Sequence, residues 1–289
     1  MTLAFRALAL APIIAGALFI AAPTRAATVP EPLIRMSDAL KDVDAARGDL
    51  NVQVTEYSGS RKVLSGTVKG HILADMETKN MEGKATVNLQ GEGLNNLLGM
   101  KKLTGAFDFR MLADDGDLYV RVTKFPKFKL FDFTKAAKRW IRIEMPGGNP
   151  FLADVPTSPE DDYFAEVQSR YPAFVLTERG STKREYVYDY RVNLDLLPAF
   201  IVESQRLQGE YLSHAEAEAL VSEYQSITGS IRVDKKTYLP STVTTRTVEM
   251  GTGRTVTDST LKYGYGVKVN VAKPSGAMDL EDLEELLGV

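Results

Sequence analysis

The 289-residue sequence has no cysteine, one tryptophan and two histidines. Without cysteine there is no thiol nucleophile, no thiolate metal site and no disulfide. Lipid attachment to a cysteine behind a leader peptide is excluded as well. His71 sits beside Gly70 on the polar parity of an expected strand, and His214 opens an expected helix. Both read as surface residues, and neither a metal nor a cofactor is expected. Gly91-Glu92-Gly93 and Gly251-Thr252-Gly253 lack the third glycine and the Lys-Ser/Thr pair of a phosphate-cradling loop. No Gly-x-Ser-x-Gly elbow occurs. Asp114, Asp115 and Asp117 have no glutamate at the spacing of a calcium loop. Glu160, Asp161 and Asp162 suit the first turn of a helix before any acid–base role is needed. No enzyme is expected; a hydrolase acting through an unrecognised carboxylate pair is the third reading.

Long apolar runs are scarce too. Residues 7–22 carry no charge, but the run is shorter than the ~20 residues of a membrane span and is broken by Pro12 and Gly16. Arg6 before it and the small residues leading to Ala26 and Ala27 give the order of a secretory signal peptide. We expect residues 1–26 to be that leader, with an uncleaved anchor as the competing reading, and residues 27–289 to be one exported domain, periplasmic or extracellular. Removing Arg6 and Arg25 with the leader leaves 33 basic against 38 acidic residues. That mildly acidic balance argues against nucleic acid as a partner.

What the chain does have is alternation. A first helix is predicted over residues 32–46, stopped by Gly48. Period-two patterns follow in Leu50, Val52 and Val54; Leu64, Val68 and Ile72; and Ala85, Val87 and Leu89. Phe107, Phe109 and Met111 continue the series, as do Leu118, Val120 and Val122. One dry face per strand is the mark of antiparallel sheet. Residues 114–117 read as a hairpin turn. Further strands are predicted at 140–143, 174–177, 186–192, 227–233, 241–249, 255–265 and 267–271. Helices are predicted at 158–168, 194–207, 213–224 and 279–287, the third with a capping box from Ser213 to Glu216. Strands follow one another without regular helix alternation, which predicts an α+β domain on a large antiparallel sheet.

Two features call for a use. Large apolar side chains share strand parities, Phe174, Leu176, Tyr188 and Tyr190 among them. A sheet bearing them is either filled by its own helices or left partly open as a ligand cavity. Between Lys124 and Arg142, seven basic residues (Lys124, Lys127, Lys129, Lys135, Lys138, Arg139, Arg142) interleave with Phe125, Phe128, Phe131, Phe133 and Trp140. Rings and cations together suit a membrane interface. A single-stranded nucleic-acid platform would look similar, but export disfavours it. A loop with inward phenylalanines and solvated lysines is the plain alternative. The membrane or headgroup candidates are Lys124, Phe125, Lys127, Phe128, Lys129, Lys138, Arg139 and Trp140.

The chain from Gly229 to Pro240 (GSIRVDKKTYLP) and from Tyr263 to Ala277 (YGYGVKVNVAKPSGA) resembles the bacterial lipoprotein-carrier, LolA-like, fold and its LppX/LprG type of exported lipid-binding protein. The Asp117-Leu118-Tyr119-Val120 strand is similar as well. The resemblance implies a curved half-barrel of antiparallel sheet closed by helices around a hydrophobic cavity for acyl chains, without catalytic residues. Cavity candidates are Val52, Val54, Val68, Ile72, Val87, Leu89, Phe107, Phe109, Met111, Leu118, Val120, Phe174, Leu176, Tyr188 and Tyr190. The missing lipidation cysteine departs from that type and favours a soluble shuttle. The expected partner is a lipid or lipidated protein, with transient membrane contact. The alternative is an envelope protein-interaction or stress-sensing module on the same fold.

Overall fold

The structure, a computed structural model, describes residues 30–98, 100–112, 117–124, 138–144, 163–207, 211–251, 253–279 and 281–282. The expected leader, most of the expected 114–117 turn, the start of the expected 158–168 helix, Phe125, Lys127, Phe128, Lys129, Phe131, Phe133, Lys135 and most of the expected terminal helix lie outside the described residues.

In chain order the elements are α1 (Glu31–Lys41), β1 (Ala45–Ser58), β2 (Arg61–Asp75), β3 (Met81–Gly91), α2 (Glu92–Leu98), β4 (Lys102–Met111), β5 (Leu118–Lys124) and β6 (Trp140–Ile143). There follow α3 (Tyr163–Arg170), β7 (Phe174–Ser181), β8 (Glu185–Val192), α4 (Leu197–Leu207), α5 (His214–Val221), β9 (Tyr224–Asp234), β10 (Pro240–Met250) and β11 (Arg254–Tyr265). The eleven strands form one antiparallel sheet in the order β6-β5-β4-β3-β2-β1-β11-β10-β9-β8-β7, which is not closed. Almost every strand pairs with its sequence neighbour, as short connections between amphipathic strands favour. The expected α+β class with a large antiparallel sheet is what the chain adopts.

The chain divides into two compact units. One takes its described residues from Met1–Asp42, Glu56–Ser60 and Val155–Lys262, the other from Val43–Thr55, Arg61–Asp154 and Tyr263–Val289. In the first unit α1 buries Leu33 and Met36 and packs against β9. Arg35 reaches the Tyr238 hydroxyl at 3.0 Å, and Tyr238 stacks on Tyr186. Val167, Ala173 and Phe200 form a small core joining α3, α4 and the start of β7. The capping box of α5 is present, with Ser213 accepting from the Glu216 amide and Glu216 from the Ser213 amide. In the second unit α2 packs against β2, β3 and β4 and buries Leu94.

Two expectations are corrected. The first helix ends at Lys41, and Ala45, Ala46 and the buried Gly48 belong to β1. There Asp44 accepts from the Met76 amide at 2.8 Å, so pairing overrides the helix propensity of the alanines. Residues 267–271 form no strand. Gly266, at φ +69, turns the chain out of β11, and no strand among the described residues pairs with them. Val267, Val269 and Val271 are nonetheless half-buried between exposed Lys268 and Asn270, which is the alternation the sequence displays.

Candidate functional site

Strand register decides which side chains share a face. In the second unit Val68 lies opposite Val87, and Ile72 opposite Gly83. Ala85 faces Phe107, Gly83 faces Phe109, and Met81 faces Met111. Phe107, Phe109 and Met111 continue to Val122, Val120 and Leu118, and the last two to Ile141 and Ile143. Opposite residues project to the same side of a sheet. The candidates Val68, Ile72, Val87, Leu89, Phe107, Phe109, Met111, Leu118 and Val120 therefore form one apolar face, with Met111 and Val68 buried and most others half-buried. Val52 and Val54 share one parity of β1 and are buried. Gly83 is part of the design: a Cβ there would meet the Phe109 ring at 2.5 Å, so the phenyl lies across the glycine.

In the first unit Phe174, Leu176, Tyr188 and Tyr190 likewise share a face. Leu176 lies opposite Tyr190, Tyr188 opposite Ile231, and Tyr190 opposite Gly229. Phe174 packs edge-on against Phe200 at 5.3 Å, inside the helix-lined core. Burial pushes the Tyr188 and Tyr190 hydroxyls up to about 12. The same face changes character in β10 and β11, where Thr245 opposes Ser259, Thr247 opposes Thr257 and Glu249 opposes Thr255. All six are buried. Glu249 has only the Thr247 hydroxyl, at 3.5 Å, as a side-chain partner among the described residues, and burial raises its carboxyl above the ordinary range. Thr257 Oγ1 has no partner among them. Sequence reading missed this hydroxyl-rich patch because threonine is at home on either face of a strand. Its signal was the shared parity of Thr245 with Thr247 and of Thr255 with Thr257 and Ser259.

The opposite face of β2–β6 is polar and ordered in rows. One row runs His71, Lys84, Asp108, Arg121, Trp140; the next runs Leu73, Glu82, Arg110, Tyr119, Arg142. Arg121 donates to Asp108 through Nε and Nη2, and Arg110 to Glu82 through Nε and to the Ala272 carbonyl through Nη1. Both guanidiniums lie within cation–π range of Trp140, at 4.5 and 5.1 Å from its ring centroid. Arg142 pairs with the buried Asp117 at 2.5 Å. Of the interface candidates, Lys124, Lys138 and Arg139 are exposed, while Trp140 is half-buried beneath the two arginines. His214 is exposed beside Glu218. No group of His, Asp and Glu able to hold a metal ion occurs among the described residues. Nor does any described helix have the length and apolarity to cross a membrane.

No protein-family model and no curated protein matches this chain. Among solved structures it is similar to the Mycobacterium tuberculosis lipoprotein LppX, at 11% identity and TM-score 0.35 over 84% of this chain and 97% of that one. A hypothetical protein from Chlamydia trachomatis aligns at 11% identity and TM-score 0.22, covering 79% of this chain and 92% of the other. A beta-barrel-like protein of a domain of unknown function from Brucella abortus aligns at 8% identity and TM-score 0.16, over 78% and 99%.

Proposed function

We propose that the protein is an exported carrier or binder of lipid or lipidated protein that holds acyl chains against the apolar face of β2–β6. The observation that carries this reading is the face itself. Ile72, Val87, Leu89, Phe107 and Phe109 stand together and only half-buried, and α2, seven residues long, is the only full helix among the described residues of that unit. Each methylene transferred from water to such a surface contributes ~0.8 kcal/mol, so one acyl chain binds without specific polar contacts. The sequence resemblance around Gly229–Pro240 and Tyr263–Ala277 supports the same reading, as does the absence of a nucleophile–base pair among the motifs. Lys124, Lys138 and Arg139, with Phe125, Lys127, Phe128, Lys129 and Trp140, are the proposed contacts to headgroups.

The experiment is mass spectrometry of an organic extract from protein exported and purified without detergent. Lipid at stoichiometric amount establishes the acyl site and its ligand class. A clean extract with no uptake of a fluorescent fatty acid overturns it and favours the protein-interaction module. The wholly buried hydroxyl patch of the first unit is the feature that speaks for that alternative.

A further inference from the structure

The polar rows on β2–β6 border an open pocket of about 170 Å³ lined by His71, Glu82, Lys84, Asp108, Arg110, Arg121 and Trp140, together with Leu73, Gly83 and Phe109. A water's share of liquid volume is about 30 Å³, so the space admits a small polyatomic ion with part of its hydration shell. Three of the lining side chains are cationic and two are acidic. Glu82 and Asp108 occupy one edge of each guanidinium, which leaves Arg110 Nη2 and Arg121 Nη1 without a hydrogen bond among the described residues. Lys84 and His71, opposite each other in register, have no polar side-chain partner there either. The next row of the same face runs Lys69, Thr86, Ala106, Lys124 and adds two exposed lysines with no ion pair among the described residues. The carboxylates thus orient the arginines without cancelling the surplus of positive charge.

We propose that this pocket binds a phosphate group, with Lys84, His71 and the free nitrogens of Arg110 and Arg121 as its donors. Phosphate offers several acceptor oxygens and up to two negative charges to donors converging from four strands, β2 to β5. Lys69 and Lys124 supply the local field that draws it in. The group arrives on a lipid headgroup or as a free phosphate compound. The site deepens the lipid reading if the former, and its donors stand apart from the acyl face in either case because they project from the other side of the sheet.

The chain reports on the site by itself, since Trp140 is its one tryptophan. Inorganic phosphate is titrated against Trp140 fluorescence at ionic strength held constant with chloride, and phosphatidylglycerol vesicles are compared with phosphatidylcholine vesicles. The expected result is a saturable change with phosphate that is weakened about tenfold in Lys84→Gln. Lys183→Gln, exposed and outside the pocket's lining, leaves it unchanged. Vesicle binding competed by phosphate identifies the headgroup source; a phosphate response without vesicle binding identifies the free compound. No response to either probe beyond that to chloride overturns the proposal, as does an equal response in Lys84→Gln. The imidazole resonances of His71 under the same titration provide a second readout, and unmoved resonances count against the site. Fatty-acid uptake is scored separately, so its failure bears only on the acyl face.

Discussion

Tyr190 lies across Gly229, the residue directly opposite it on β9, with its ring carbon 2.5 Å from where a Cβ would stand. Its hydroxyl then reaches Thr245 Oγ1 on β10 at 2.6 Å and the Thr244 carbonyl at 3.2 Å. One side chain therefore ties three strands, and it does so only because the middle one has no side chain in the way. Gly229→Ala drives a methyl into the ring and the Thr244 carbonyl, and is expected to destabilise the fold by about 1–3 kcal/mol. Tyr190→Phe keeps the ring but leaves Thr245 short of a partner, at about 1 kcal/mol. Urea denaturation of both variants checks the order; a neutral Gly229→Ala contradicts the contact.

Glu249 gives stability a pH dependence of definite sign. Its carboxyl is raised in the folded state because burial disfavours the charged form. The folded chain then holds a proton that the unfolded chain has released, so this contribution is complete below the ordinary glutamate range. It is lost as pH rises from that range through the raised value. Glu249→Gln removes this dependence, and the variant is expected to gain on the parent as pH rises from 4 to 8. The difference in urea midpoint between the two, followed over pH, is the measurement. A difference that stays flat shows that the carboxyl ionises freely in the fold.

The two kinds of ion pair respond differently to loss of the arginine. Arg142 faces Asp117, whose side chain is 4% exposed, whereas Arg246 and Asp258 are about half exposed. Arg142→Leu strands a buried carboxylate; Arg246→Leu frees one that water already reaches. Arg142→Leu is expected to lower the urea midpoint clearly more than Arg246→Leu. Equal effects would show that water reaches Asp117 once its partner is gone.

If the apolar face of β2–β6 holds acyl chains, shortening its side chains weakens the ligand rather than the fold alone. Phe107→Ala, half-buried on that face, is expected to lower fatty-acid affinity on the order of tenfold through lost apolar contact. Thr86→Ala, exposed on the opposite face, leaves affinity unchanged. Fluorescent fatty-acid titration of the two variants separates the faces, and equal affinities would remove this face from the site.

The strands were legible because burial repeats with period two wherever one face is dry. Val68, Val87, Phe107 and Val120 fall on a common side once register is known, and each was already marked by its neighbours along its own strand. Register itself was not legible. That Gly83 lies under Phe109, or Gly229 under Tyr190, depends on turns whose lengths the alternation does not specify. The start of β1 was misread because Ala45 and Ala46 favour a helix until a partner strand is present. Trp140 reads in the sequence as the start of a strand and as a membrane or headgroup candidate; its place beneath Arg110 and Arg121 is not legible there, since the arginines are distant in sequence and meet the indole only across the sheet.

An open sheet presents a bare backbone at each end, which in solution invites a further strand from another molecule. Here the two ends are guarded by different means. Alongside β6, the Met278 carbonyl accepts from the Arg142 amide, and the Met278 amide donates to the Trp140 carbonyl, so the chain's own tail occupies part of that margin. At β7 the register slips between Glu178 and Gly180, with Gly180 at φ +132, and Thr177, Glu178 and Arg179 are exposed at the irregularity. A kinked, charged margin is a poor template for self-association. Removing the tail from Ala272 onward would therefore convert a protected margin into an adhesive one, and polymerisation would begin at β6 rather than at β7.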